Sequence, residues 1–268
     1  MQRGRDRRRG CFWEILESMR NLKIVLAYDG FDFRGWQVQP DQPTIQGTLA
    51  ACIERVTGEK VLPQGSGRTD AGVHALAQVA SCAISSPIPV DNLVKALNDI
   101  LPAAIRILEI QEVAGDFHAR ATATAKTYRY RIFRGDICPP FLARYVYHHP
   151  FPLSEDALLL ASDRVVGNHD FTSFASVDPE RGAKDGELNN VRTIFSSAWH
   201  LGEEELVYTV RGSGFLHHMV RNLVGTFLLV GKGTLSPNDI TRILKACSRS
   251  AAGPTAPAHG LFLVKVEY

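Results

Sequence analysis

The sequence predicts an α+β fold: a mixed, largely antiparallel sheet with flanking helices, arranged as two similar α/β halves. Three observations carry that expectation. Strand-like and helix-like segments interleave along the chain. Many strands follow one another with no helix between them, which disfavours a doubly wound parallel sheet. No repeat of fixed period is present, so a solenoid is excluded. With 268 residues the chain suffices for one large domain or two moderate ones. We place an N-terminal half at 22–118 and a C-terminal half at 119–268, with the boundary inside 115–124.

Taken in order, "LKIVLAYDG" reads as a strand that ends at the Asp29-Gly30 turn. In "TIQGTLAACIERVTG" the residues Ile45, Leu49, Ile53 and Val56 recur at helical spacing, with Thr44 as N-cap and Gly58 as stop. "KVLPQGS" reads as a short strand, "LAQVASCAI" as a longer one, and "VDNLVKALNDIL" as a helix. "AIRILEIQEV" and the alternating "AKTYRYRIFRG" are strands. In the second half, "SEDALLLASDRVVG" is helical, and "NVRTIFSSAWHL" and "ELVYTVRGSG" are strands. "FLHHMVRNLVGTFLLVGKG" is helical and ends in glycines. "SPNDITRILKACS" starts a helix with Ser236 as N-cap and Pro237 at the first helical position. "GLFLVKVEY" is the last strand. Residues 176–190, "SVDPERGAKDGELNN", read as a polar surface insertion.

Composition narrows the function classes. Hydrophobic residues make up 45% and charged residues 22%, ordinary for a soluble globular protein. No apolar run approaches the roughly 20 residues of a membrane-spanning helix. The first twenty residues hold six Arg against two Glu and one Asp. They lack the apolar core and small-residue cleavage site of a secretion signal. Residues 1–21 therefore read as a basic extension, either an unstructured tail or an upstream start ahead of Met19. That stretch has a surplus of +3 out of a net +2, so the body carries about −1 and any basic surface on it is local. The five cysteines (Cys11, Cys52, Cys82, Cys138 and Cys247) are scattered and form no CxxC pair. They point to reduced thiols in the cytoplasm and away from a zinc site.

Chemistry concentrates in "GSGRTDAGVHA", Gly65–Ala75. Gly65 and Gly67 allow positive φ and close approach of backbone to a ligand. Arg68 and Asp70 are two apart, so in an extended segment they point the same way. An arginine held there favours the charged carboxylate, which serves as nucleophile, base or electrostatic stabiliser. The other reading is an Arg–Asp pair that pins a glycine-rich turn. The loop matches neither GxGxxG before a helix nor GxxxxGK[ST]. It advertises no second carboxylate for glycosidase-type chemistry. His74 reads as a residue that orders the loop. His217 and His218 are adjacent and so do not share one helix face, as metal ligands normally do; they read as packing or substrate-contacting residues. His148-His149 and His169-Asp170 have no metal-site partner at telling spacing.

"GRTDAGVHA" resembles the signature of the TruA family of tRNA pseudouridine synthases. Further blocks resemble that family in its own order: "YDGFDFRGWQVQP" at 28–40, "TIQGTL", "FHARATATAKTYRYRI" at 117–132, "GNHDFTSF" at 167–174, "FLHHMVRNLVG" at 215–225 and "APAHGLFLVKVEY". The resemblance runs from about residue 22 to the last residue. It implies isomerisation of uridine to pseudouridine at positions 38, 39 and 40 of the tRNA anticodon stem-loop. The base is detached from C1′, rotated and rejoined through C5. No redox change occurs, in keeping with the lack of any cofactor motif.

The resemblance also implies roles for particular residues. Asp70 is the catalytic nucleophile. Tyr128 packs against the target uracil, where an aromatic face contributes about 1–3 kcal/mol per stacked base. Its hydroxyl is a candidate for removing the C5 proton. Arg221 lies near the aspartate, and Arg68 fills the gap left by the extruded nucleotide. A central RNA-binding cleft between the two halves and a homodimer that completes it are implied as well. From the residues alone, His118, Arg120, Lys126, Arg129, Arg131 and Arg134, interleaved with Tyr128 and Tyr130, suit a phosphate-tracking groove. Two other readings stay open: a noncatalytic tRNA-binding or tRNA-folding protein, and an aspartate-dependent nucleoside hydrolase.

Overall fold

The computed structural model describes residues 19–177 and 189–268. The insertion is therefore described only at its edges, and residues 1–18 of the basic extension lie outside the described part. Alternation of apolar and polar side chains sets the first strand, β1 (Arg20–Tyr28), which takes in Arg20 and Asn21 from the end of that extension. Leu22, Ile24 and Leu26 face inward and are completely buried. Each such side chain contributes about 1.5–3 kcal/mol of burial free energy. Helix α1 (Ile45–Thr57) lays Ile45, Leu49 and Ile53 into the same core. Its ends are those the sequence predicts: Thr44 Oγ1 accepts from the Gly47 N–H, and Gly58 closes the helix at φ +78°.

The short β2 (Gln64–Gly65) and long β3 (His74–Ile84) flank the glycine-rich loop. Then come α2 (Val90–Ile100), β4 (Ile105–Val113), β5 (Ala125–Phe133) and the two-residue β6 (Tyr147–His148), which the sequence did not signal. The remainder is α3 (Glu155–Asp163), β7 (Gly167–Asp170), β8 (Val191–Leu201), β9 (Glu205–Gly212), α4 (Met219–Gly231), α5 (Asp239–Ala246) and β10 (Leu261–Glu267).

All ten strands join one sheet in the order β4-β1-β3-β10-β5-β9-β8-β7, with β2 added to β3 and β6 to β5. Among the described strand pairs only β3–β10 and β5–β6 are parallel. The α+β class with a largely antiparallel sheet is therefore what forms. Strands that precede residue 118 occupy one end of the sheet and later strands the other. They meet where β10 runs beside β3, through the pairs Phe262–His74 and Leu263–Ala75. No described helix is long and apolar enough to cross a membrane.

Two helix starts differ from expectation. The helix expected from Phe215 begins at Met219, because His218 adopts a left-handed conformation, φ 59° and ψ 5°. The helix expected to be capped by Ser236 begins at Asp239 instead. There the Asp239 carboxylate accepts from both the Ser236 N–H and its hydroxyl (2.8 and 2.9 Å), so a turn precedes the helix.

Candidate active site

The loop between β2 and β3 is held from below by buried polar groups. Ser66 N–H donates to Val79 O (2.7 Å), and its hydroxyl to Gln78 Oε1 (2.7 Å). Gln78 Nε2 in turn donates to Gly67 O (3.0 Å). From β1, the Tyr28 hydroxyl bonds Thr69 Oγ1 at 2.8 Å, and Trp36 N–H donates to Thr69 O at 3.0 Å. The segment is thus a fixed platform. Gly65 and Gly67 do not supply positive φ, contrary to the sequence reading; Gly72, at φ +78°, does. The bare backbone of Gly65 makes room for the Trp36 indole, and that of Gly67 for the Lys126 amine, each within 3 Å of where a Cβ would stand.

His74 is buried beneath this platform. Its Nδ1 accepts from Gly30 N–H (3.1 Å) while Nε2 donates to Arg144 O (3.0 Å). Burial pushes its pKa down against the opposing pull of Asp29. This is the loop-ordering part read from the sequence.

Asp70 emerges from the platform into a groove of about 650 Å³. Arg221, in the first turn of α4, donates from Nη1 to Asp70 Oδ2 at 2.8 Å and from Nε to Ala256 O at 2.8 Å. The side chains are 20% and 15% exposed, so the pair is largely shielded. The two residues are 151 positions apart. Arg68 lines the same groove. His217 and His218 also turn toward this carboxylate, with Nε2 atoms 3.8 Å from Oδ1 and 3.4 Å from Oδ2. The reasoning that separated them assumed a helix that has not yet begun at these residues.

Tyr128 forms part of the groove lining on the central strand β5, between Leu263 of β10 and Val210 of β9. Its ring meets Phe215 edge-on at 5.0 Å. Burial, with smaller effects of Tyr28 and Asp70, pushes the phenol pKa up and keeps it protonated. Among the described residues its hydroxyl has no hydrogen-bond partner.

The expected basic cluster on β5 divides. Residues two apart share a face, so Lys126 and Tyr128 look into the groove. Arg131 lies on the other side and is paired to Glu205 by two bonds, 2.9 and 2.7 Å. Arg134 is bound to Glu155, and His118 Nδ1 accepts backbone N–H groups of Arg120 and Ala121. The cations that line the groove are Arg34, Arg68, Arg120, Lys126 and Arg192. Arg34 and Arg192 were missed, because they come from segments that no local pattern connects. Lys126 donates to Ser66 O (2.6 Å), and burial, then Arg120 and Arg192, pull its pKa down to about 8.

A carboxylate clamped by arginine, an aromatic wall and five cations suit carboxylate-dependent chemistry on a polyanion. The comparisons place it further. The sequence profile of the tRNA pseudouridine synthases matches residues 24–120 and 161–268. The similarity extends to whole proteins: the chain is 53% identical to tRNA pseudouridine synthase A of Solibacter usitatus over 93% of its own length and 100% of that protein. It is 46% identical to the protein of the same name from Brevibacillus brevis, over 93% and 100%. The Moorella thermoacetica tRNA pseudouridine synthase A is likewise 46% identical, over 92% and 99%. The chain belongs to the tRNA pseudouridine synthase family.

Proposed function

We propose that this protein isomerises uridine to pseudouridine at positions 38, 39 and 40 of the tRNA anticodon stem-loop, with Asp70 as the nucleophile. One observation supports this reading above others: Asp70 stands fixed by Arg221 inside a groove that carries Tyr128 on its wall and five cations on its lining. A uridine turned out of its stack enters that groove, at a cost of a few kcal/mol. Its ribose reaches the carboxylate, and its uracil packs against Tyr128. The C1′–N1 bond breaks, the base rotates, and a C1′–C5 bond forms. The C5 proton leaves and N1 gains one, so no atom is lost overall. The unpaired Tyr128 hydroxyl stands where it can accept that proton while handing on its own. Arg68 fills the position vacated by the base, and the remaining cations hold the flanking phosphates.

A second copy of the chain completes the cleft in this reading. Ile137 and Phe141, exposed between β5 and β6, and Phe151, exposed between β6 and α3, support such a contact. The free thiols Cys52, Cys82, Cys138 and Cys247 suit the cytoplasm. The decisive experiment incubates Asp70→Asn and the unaltered protein with unmodified tRNA transcript and maps modified uridines chemically. Binding persists in Asp70→Asn while product disappears. Normal product from Asp70→Asn removes the nucleophile, and loss of binding as well points to a scaffold role for the carboxylate.

A further inference from the structure

The approach of two consecutive histidines to the groove carboxylate is more than the uridine chemistry requires. We propose that Asp70, His217 and His218 bind one divalent ion of the zinc class, and that the bound ion shuts off the carboxylate. One ligand atom from each of Asp70, His217 and His218 lies within 4.8 Å of the other two. The separations of 3.8 and 3.4 Å from the carboxylate are long for hydrogen bonds. They suit a shared ion, since ligands about 2.0–2.1 Å from a tetrahedral centre stand about 3.3 Å apart.

The outer contacts aim both rings. His217 Nδ1 lies 2.9 Å from the carbonyl oxygen of Val177. A carbonyl only accepts, so Nδ1 carries the hydrogen and the lone pair of the neutral ring sits on Nε2, facing Asp70. His218 Nδ1 lies 3.1 Å from Ser176 Oγ, which also accepts from Asn222 Nδ2. Metal-binding histidines are oriented in this way, through the nitrogen that does not touch the ion. The left-handed backbone of His218 is uncommon for a residue other than glycine. It brings the two rings to 3.8 Å between centroids, with both Nε2 atoms turned to one carboxylate.

His217 faces Oδ1 and His218 faces Oδ2, the oxygen that also accepts from Arg221, so the ion and the guanidinium share one carboxylate. The neighbouring cations lower its affinity relative to a structural zinc site. The fourth position opens to the groove, so the ion and tRNA compete. Binding rests on this geometry alone; the inhibitory consequence rests on Asp70 being the nucleophile.

Chelator-treated protein titrated with cobalt(II) tests the site without tRNA. A tetrahedral cobalt spectrum saturates at one equivalent, and zinc displaces it. His217→Gln and His218→Asn, the latter compatible with left-handed backbone, each weaken binding at least about tenfold. Thermal unfolding shows that both variants are folded. Absence of the spectrum, or an unchanged titration in the double variant, overturns the site. In parallel, zinc added to the pseudouridine assay abolishes product, and a chelator restores it. Zinc that binds at this site yet leaves product formation intact overturns the switch and the role of Asp70, but not the site.

Discussion

Arg221→Met separates the guanidinium from the carboxylate while keeping most of the side-chain volume. In the folded protein that guanidinium donates to Asp70 Oδ2 and to Ala256 O, each at 2.8 Å. A hydrogen bond to a charged partner contributes about 1.5–3 kcal/mol and a neutral one about 1 kcal/mol. Both side chains are less than a quarter exposed, so solvent screening removes little of this. Arg221→Met therefore loses about 2.5–4 kcal/mol of stability, with a fall in Tm on the order of 5–15 °C for a chain of this length. Asp70→Asn and the double variant complete a cycle, read from urea midpoints at common slope. The expected coupling is about 1.5–3 kcal/mol. Turnover on tRNA falls about a hundredfold in Arg221→Met, because the carboxylate is no longer held in position. Coupling below about 0.5 kcal/mol, the level of independent sites, refutes the claim that Arg221 fixes Asp70.

Salt tests the groove. With Arg68 assigned to the vacated base position, the other four lining cations imply a log–log slope of affinity against salt of about −2.8 to −3.6, so affinity drops by about two decades between 50 and 200 mM; a flat response removes the electrostatic reading. Tyr128→Phe keeps the aromatic face but not the unpaired hydroxyl. Binding by gel shift stays within about twofold, while single-turnover product formation slows about a hundredfold; unaltered turnover leaves Tyr128 a packing residue only. Lys126, at about 8, loses its proton in the free protein as pH rises through that value, whereas a bound phosphate retains it. tRNA affinity therefore weakens up to about tenfold from pH 7 to 9, and Lys126→Met abolishes that dependence. Stability moves the opposite way: above about 8 the unfolded chain binds the extra proton, so stability rises with pH until the lysine of the unfolded chain also titrates. An equal pH dependence of binding in Lys126→Met refutes the assignment.

Most elements of the fold were legible because their signals are local; β6 and β7, two and four residues long, are too short to carry one. Thr44 and Gly58 bound α1 through bonds spanning a few residues, and the apolar alternation of β1 needs only its own nine. The Gly65–Ala75 loop was legible for the same reason. The Asp70–Arg221 contact was not, since no spacing rule spans 151 residues; only the resemblance suggested that neighbourhood. The helix start was misplaced because His218 is left-handed, and helical periodicity carries no sign of one such residue. The basic run on β5 misled because composition was weighed before strand geometry. Alternation turns Arg131 to Glu205 while Lys126 enters the groove. Gly65 illustrates a further gap: a glycine looks the same in a sequence whether it serves a turn or accommodates an indole ring.

The β3–β10 junction has a temporal consequence. Asp70 precedes β3, and Tyr128 lies on β5, yet the strand between them spans Leu261–Glu267. Arg221 is also anchored to Ala256, just ahead of that strand. During synthesis the carboxylate loop is made early and waits through roughly 190 further residues before its surroundings can close, since a ribosome emits the chain from the N-terminus onward. A nascent chain therefore remains unarmed until the last strand has emerged and slid into place between its two older neighbours.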